Sequence, residues 1–183
     1  MIYGKNIRFR APEKTDIPQW VEWLNDPEVI KGLLQPHPLG LEDENTWFEA
    51  MMKRPMEEHI MMIEMKDAKG WRMIGNIGFD HVDWLNASAE CGIFIGNKTY
   101  WDKGLGTEAM LLMLRHGFES LNLHRIWLRV YATNERAIRC YEKAGFVHEG
   151  AFREAEFKYG KYINVNIMSV LRTEWKIDMA HEV

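Results

Sequence analysis

The chain has 183 residues, of which 46% are hydrophobic and 27% charged, and its formal net charge is -4. That length suits one domain with one core, here 1–183, and Trp, Phe, Tyr and Met spread along the whole chain exclude disorder. The negative balance gives no global field for nucleic acid, so no nucleic-acid partner is expected and any polyanion must be held at a local site.

The first element is a strand over 6–11, where Asn6-Ile7-Arg8-Phe9-Arg10-Ala11 alternates apolar and polar residues until Pro12 ends it. Nothing before it reads as an apolar leader. Thr15 or Asp16 then caps a helix carrying Ile17, Trp20, Val21 and Leu24 at helical spacing, broken by Asn25-Asp26-Pro27. Residues 31–40 hold two prolines and two glycines and predict an irregular loop. A second helix is expected over 42–52, with Trp47, Phe48 and Met51 on one side. Three strands follow at 59–65, 71–84 and 89–95, joined by turns at Asp67-Ala68-Lys69-Gly70 and Leu85-Asn86-Ala87. Gly75 and Gly78 predict bends in the second of them.

The pattern then changes. Residues 104–121 form an amphipathic helix with Leu105, Ala109, Leu112, Met113 and Leu121 near helical spacing. A strand over 124–131, a short helix over 134–144 closed by Gly145, and strands over 146–152 and 162–171 complete the chain. Its longest apolar run, Ala109 to Leu114, is far too short to span a bilayer. Cys91 and Cys140 sit in apolar stretches with no CxxC, as buried thiols in a reducing compartment do. A cytoplasmic protein with no membrane partner is the expectation. His37, Cys91, His116 and His124 show no metal-ligand spacing, so no metal is expected. Antiparallel strands flowing into β-α-β imply an α/β fold with a mixed sheet and helices on both faces.

Two segments carry chemistry. Trp101-Asp102-Lys103-Gly104-Leu105-Gly106-Thr107-Glu108 joins a strand to the strongest helix. Its glycines allow a tight turn and close approach, and the helix start offers unpaired N–H groups and a positive dipole end. Lys103 adds charge, and Thr107 can cap the helix or donate its hydroxyl, so a diphosphate fits there. Gly104-Leu105-Gly106-Thr107-Glu108-Ala109 also matches the GxGxxA dinucleotide fingerprint. That motif needs to follow the first strand of a βαβ unit and to have an acid ending the next strand. Here it lies mid-chain, and the next strand ends Arg129-Val130. A nicotinamide-dependent oxidoreductase is therefore the weaker reading.

The second segment is Asn134-Glu135-Arg136-Ala137-Ile138-Arg139-Cys140-Tyr141-Glu142-Lys143-Ala144-Gly145-Phe146. It resembles the GNAT N-acetyltransferase family at every position of that family's N-x-x-A-x-x-x-Y-x-x-x-G-F pattern. The family's pyrophosphate-loop pattern, [RQ]-x-x-G-x-[GA], is matched at Gly104 and Gly106 and departs at Trp101. The opening Ile7-Arg8-Phe9-Arg10, Leu24-Asn25-Asp26-Pro27-Glu28-Val29 and Gly160-Lys161-Tyr162 are similar to the ribosomal-protein-alanine and spermidine N-acetyltransferase branch. The resemblance implies a largely antiparallel sheet of about seven strands with about four helices. It also implies acetyl-CoA as co-substrate, direct transfer of its acetyl group to a primary amine, and pairing of copies as a homodimer.

Roles follow from the resemblance residue by residue. Tyr141 takes the place of the general acid, and a phenol with an intrinsic pKa near 10 keeps its proton at neutral pH. Its rival role is to anchor the short helix in the core. Ile93, Phe94 and Ile95 are the strand edge for the pantetheine amides, with an N–H toward the developing oxyanion. Lys103, Gly104, Leu105, Gly106 and Thr107 hold the diphosphate. Asn134 and Ala137 complete the cofactor site, and Asn134 also suits helix capping. Arg136, Arg139 and Lys143 suit either phosphate neutralisation or a solvated helix face. The amine must lose a proton, and Glu90 is the first candidate base, His81 the second. A Glu that some relatives place twelve residues before the Tyr is Arg129 here. On the acceptor side, Glu22, Asp26, Glu28, Glu42, Asp43 and Glu44 make an acidic region with Lys31 the lone basic residue. That region suits a cationic protein N-terminus or polyamine-like amine, and an antibiotic or amino sugar is the alternative acceptor. A non-catalytic acyl-CoA-binding module is the second class.

Overall fold

The computed structural model describes residues 1–33 and 37–175. Eight strands form one sheet: β1 Ile2–Tyr3, β2 Ile7–Arg10, β3 Met61–Asp67, β4 Gly70–Asp83, β5 Ser88–Ile95, β6 Arg125–Tyr131, β7 Val147–Lys158 and β8 Lys161–Leu171. Their order is β1-β2-β3-β4-β5-β6-β8-β7, and every pair is antiparallel except β5–β6. The strand beyond the seven expected is β1, two residues long and too short to show a period. Among the described residues four α-helices accompany the sheet: α1 Ile17–Leu24, α2 Leu41–Met51, α3 Leu105–Arg115 and α4 Glu135–Lys143.

The alternation of each strand divides the apolar residues between two cores. Ile63, Ile74, Ile77, Phe79, Ala89, Cys91, Ile126 and Leu128 pack under α3 with Ala109, Met110, Met113 and Leu114. On the other face Met62, Met73 and Phe94 meet Ile17, Trp20, Trp23, Phe48 and Met51 of α1 and α2. Trp20 and Trp23 are thus core, whereas Trp47 stays 41% exposed at the edge of the Trp20 ring. A half-buried charge network fixes the start of α1. Arg10 donates two bonds to Asp16, at 2.8 and 2.7 Å, and one to Glu64 at 2.8 Å, while Arg8 donates to Glu64 at 2.6 Å.

Three boundaries differ from the sequence expectation. The helix expected over 104–121 is α-helical only to Arg115 and continues as a π-turn, His116–Ser120, closed by the Leu121 N–H to the His116 carbonyl. A Cβ on Gly117 would lie 2.6 Å from Ile126 and 2.8 Å from Phe79, so the backbone itself packs on the sheet there. The strand expected from 59 starts at Met61, because Met56–Glu58 forms a 3-10 turn. The closing strands are longer, 147–158 and 161–171, and turn at Tyr159 and Gly160, both with positive φ. As the edge strand, β7 is solvated along most of its length and shows no alternation to read.

Candidate active site

The parallel pair β5–β6 is hydrogen-bonded only at Ser88–Arg125, Ala89–Ile126 and Glu90–Trp127. Beyond those residues the two strands part into an open wedge. From Cys91 to Ile95 no strand among the described residues pairs with β5 on that side, so its main chain forms an edge there. Ile93 and Ile95 pack toward the α3 core and Phe94 toward the α1 core, where it meets Trp23 at 6.0 Å. The three residues expected to form an open strand edge therefore lie on one.

The glycine loop lies beside the wide end of the wedge, tied to the end of β5 through Trp101. Asp102 and Gly104 both take positive φ, 57° and 78°, and Gly104 is the N-cap of α3. The first helical bond is Glu108 N–H to the Gly104 carbonyl at 3.0 Å, so the N–H groups of Leu105, Gly106 and Thr107 precede it. A Cβ built on Gly104 meets nothing within 4 Å, which leaves space outside these donors for a phosphate. Gly106 is needed for packing as well: a Cβ there would lie 3.2 Å from the Cys140 sulfur of α4. Thr107 Oγ1 faces the same sulfur at 3.5 Å. Glu108 anchors the helix by accepting from the Asn6 main chain at 2.7 Å and its side chain at 2.9 Å.

Trp101, where the sequence departs from the loop pattern, has its own partners. Its indole N–H donates to the Ile95 carbonyl at 2.8 Å, tying the end of β5 to the loop. The Arg136 guanidinium lies 3.5 Å over its ring, so a cation from α4 is held beside the cradle. Lys103 lies 5.5 Å over the ring of Tyr100. Arg139 instead pairs with Glu135 at 3.3 Å along its own helix face.

Asn134 caps α4, its side-chain oxygen accepting from the Ala137 N–H at 3.2 Å, an arrangement worth about 1 kcal/mol. The N–H of Ala137 is thereby taken, and what Ala137 offers the site is a small side chain against the core. The helix ends on Gly145 at φ 98°, with Phe146 N–H to the Tyr141 carbonyl at 3.0 Å. Both ends fixed, α4 presents Tyr141 to the core under the wedge, 8% exposed and 5.9 Å from the Phe146 ring. Burial pushes its phenol pKa well above the ordinary 10, with the neighbouring Cys140 and Cys91 thiols adding to the effect. Its hydroxyl has no hydrogen-bond partner among the described residues, and Trp20 Nε1 is the sealed polar atom without one.

Glu90 points to the opposite face of the sheet from Ala89 and Cys91. Its carboxylate accepts from Arg129 Nε at 2.8 Å and Nη2 at 3.2 Å. That hydrogen bond holds the Arg129 pKa above its ordinary value. Both residues line a cleft of about 430 Å³ with His81, Arg125, Trp127, Phe152 and Ile167. His81 is exposed, at φ 51°, and lies 3.7 Å from Asp80. The sequence expectation missed the Arg129 partnership, although a parallel register fixed at Glu90–Trp127 places the two on one face.

The acidic region does not act as one unit. Asp26 and Glu28 pair with Lys98 at 2.7 and 3.1 Å, and Asp43 accepts from the Gly40 N–H at 2.7 Å. Glu22 accepts from Gln19 at 2.7 Å, and Glu42 is exposed. Glu44 alone of the six is buried, 6% exposed on the stripe it shares with Phe48 and Met51, with its pKa raised by desolvation and then by Asp43.

N–H groups ahead of the first helical bond of α3, an open strand edge and a protonated phenol beneath the wedge are the arrangement of a thioester-dependent acyltransferase. Residues 6–147 match the family model for the acetyltransferase (GNAT) domain, and the chain belongs to that family. It is a GNAT acetyltransferase with acetyl-CoA as co-substrate. It is 33% identical to the spermidine N(1)-acetyltransferase of Vibrio cholerae serotype O1 over 94% of this chain and 96% of that one. It is 27% identical to the uncharacterized N-acetyltransferase p20 of Bacillus licheniformis over 95% and 97%. Among solved structures, the Vibrio cholerae spermidine N-acetyltransferase in complex with CoA and spermine superposes with a TM-score of 0.83 at 26% identity, covering 93% of this chain and 98% of that one. No helix among the described residues is long and apolar enough to cross a membrane.

Proposed function

We propose that this enzyme acetylates a primary amine of a small polycationic acceptor of the polyamine class, with Tyr141 as general acid and Glu90 as the first candidate base. The observation that carries this reading is the placement of the two groups. Tyr141 lies on the α3 face and Glu90 on the opposite face, both where β5 and β6 part. The full-length similarity to spermidine N(1)-acetyltransferase supports the acceptor class.

Acetyl-CoA supplies an activated acyl group whose leaving thiolate must be protonated. The N–H groups of Leu105, Gly106 and Thr107, with Lys103 and Arg136 nearby, bind the diphosphate. The open main chain at Ile93, Phe94 and Ile95 orients the pantetheine by strand-like pairing and donates an N–H toward the carbonyl oxygen as charge develops there. Tyr141 gives its proton to the departing sulfur. A phenol held above its ordinary pKa keeps its proton at neutral pH, so Tyr141 is in the acid form when the sulfur departs. Glu90 receives the amine's proton from the other face, and Arg129 holds its carboxylate in place.

The test is thiol release from acetyl-CoA with spermidine, spermine, an alanine-starting peptide, an aminoglycoside and an amino sugar as acceptors. Turnover highest with the polyamines is the expected result. Acetyl-CoA binding with no transfer to any amine would instead favour the non-catalytic module, and preference for the aminoglycoside would move the acceptor class.

A further inference from the structure

The loop after α1 crosses the open end of the wedge. On the β5 side Trp23 lies flat against Gly96, where a Cβ would sit 2.2 Å from the ring. Lys98, just past β5, holds Asp26 and Glu28. On the β6 side the backbone of Gly32 abuts Asn134, where a Cβ would sit 2.6 Å from the side-chain nitrogen. The segment from Trp23 to Leu33 is therefore a strap from one strand's end to the other's.

One more group holds the far end of that strap. Lys158, at the tip of the β7–β8 hairpin, donates from Nζ to the carbonyls of Ile30 at 2.8 Å and Lys31 at 2.9 Å, and also to that of Leu33. Its ammonium lies 4.9 Å from the Tyr131 ring centre and 5.6 Å from that of Tyr159. No carboxylate forms an ion pair with it among the described residues; burial lowers its pKa, and the converging carbonyls, two ring faces and the nearby Glu156 charge offset part of that desolvation. An ammonium has three donors on a compact centre and matches three converging carbonyls, whereas a planar guanidinium does not.

We propose that Lys158 is a positioning residue for the amine acceptor, pinning Ile30–Leu33 across the wedge so that this strap forms the wall against which the acceptor is held. The proposal rests on the acetyltransfer reading above for the location of the acceptor. It concerns a residue that approaches from the far end of the chain and touches neither the diphosphate cradle nor the Tyr141 hydroxyl.

The test uses the full chain with Lys158→Met, whose apolar stem still packs on Tyr131, and Lys158→Arg, which keeps the charge. Hydrogen exchange across residues 29–33, calorimetric affinity for acetyl-CoA, and calorimetric affinity of spermine for the CoA-bound protein are measured beside KM and kcat. Both variants are expected to exchange faster in 29–33, to bind spermine about tenfold more weakly and to show an acceptor KM about tenfold higher, with acetyl-CoA affinity and kcat held within about twofold. Unchanged spermine affinity in Lys158→Met, full restoration by Lys158→Arg, or parallel loss of acetyl-CoA binding would each overturn the proposal. Because the spermine arm is read without turnover, a wild type that binds spermine but acetylates nothing would sink the acetyltransfer reading while leaving the pin standing.

Discussion

The cradle at 101–107 and the strap at 23–33 border the same wedge but are built differently. The cradle is made by contiguous main chain: two positive φ angles, a helix start and glycines that leave room. The strap is held by side chains from far away in sequence, Lys98 at one end and Lys158 at the other. Backbone geometry suits a cofactor whose phosphates every member of a family shares. Pins drawn from separate strands can change one at a time, which suits a surface that chooses among acceptors.

The largest expected effect breaks the chemistry and leaves both regions intact. Tyr141→Phe should lower kcat by about 10²-fold or more with acetyl-CoA affinity unchanged, as measured by steady-state kinetics and calorimetry. Equal rates would return Tyr141 to a core-packing role. Because burial raises its pKa, the acid form persists to higher pH than for a free phenol. The pH–rate profile of the wild type should therefore show no descending limb from this group below about pH 10.

Next, Gly106→Val should strike the cradle alone. The added branches press on Cys140 and on the donors, and overpacking of about 1–3 kcal/mol, expressed at the cradle, corresponds to about 5- to 150-fold weaker acetyl-CoA binding. Spermine affinity of the coenzyme-free protein should not follow, and if it does, cradle and strap are not separable. Glu90→Gln should lower turnover about tenfold with acetyl-CoA affinity unchanged, as measured by steady-state kinetics and calorimetry. Unchanged turnover would pass the role of base to His81 or to water.

The smallest effect lies in α2. Desolvation holds the Glu44 pKa above that of a free glutamate, so the folded protein prefers its neutral form. The resulting penalty on the folded state is full above the folded pKa and vanishes below the unfolded value of about 4.3. Glu44→Gln should therefore raise the melting temperature at neutral pH and leave it unchanged at about pH 4. A variant that melts lower at neutral pH would show that the carboxylate has a stabilising partner.

Much of this was legible in the sequence because it is local. The two motifs, the cap at Asn134 and the stop at Gly145 are each set by neighbours within a few residues, and the helices and central strands follow from their apolar periods. The edge strand β7 was read short because both its faces meet water and no period marks it. The π-turn at 116–120 was missed because backbone packing of Gly117 on Ile126 overrides a continuous helical pattern.

The chain by itself determined the order of elements, the donor-rich turn at 101–107 and the residue types beneath the wedge. Hydrogen bonds between near neighbours and the burial of periodic apolar residues suffice for those. Tertiary structure alone decided which charges meet: Arg129 on Glu90, Arg136 on Trp101, and Lys98 and Lys158 on a strap more than sixty residues away from either. Such pairings depend on the register of distant strands, and a charged side chain carries no mark of its partner until the sheet has formed.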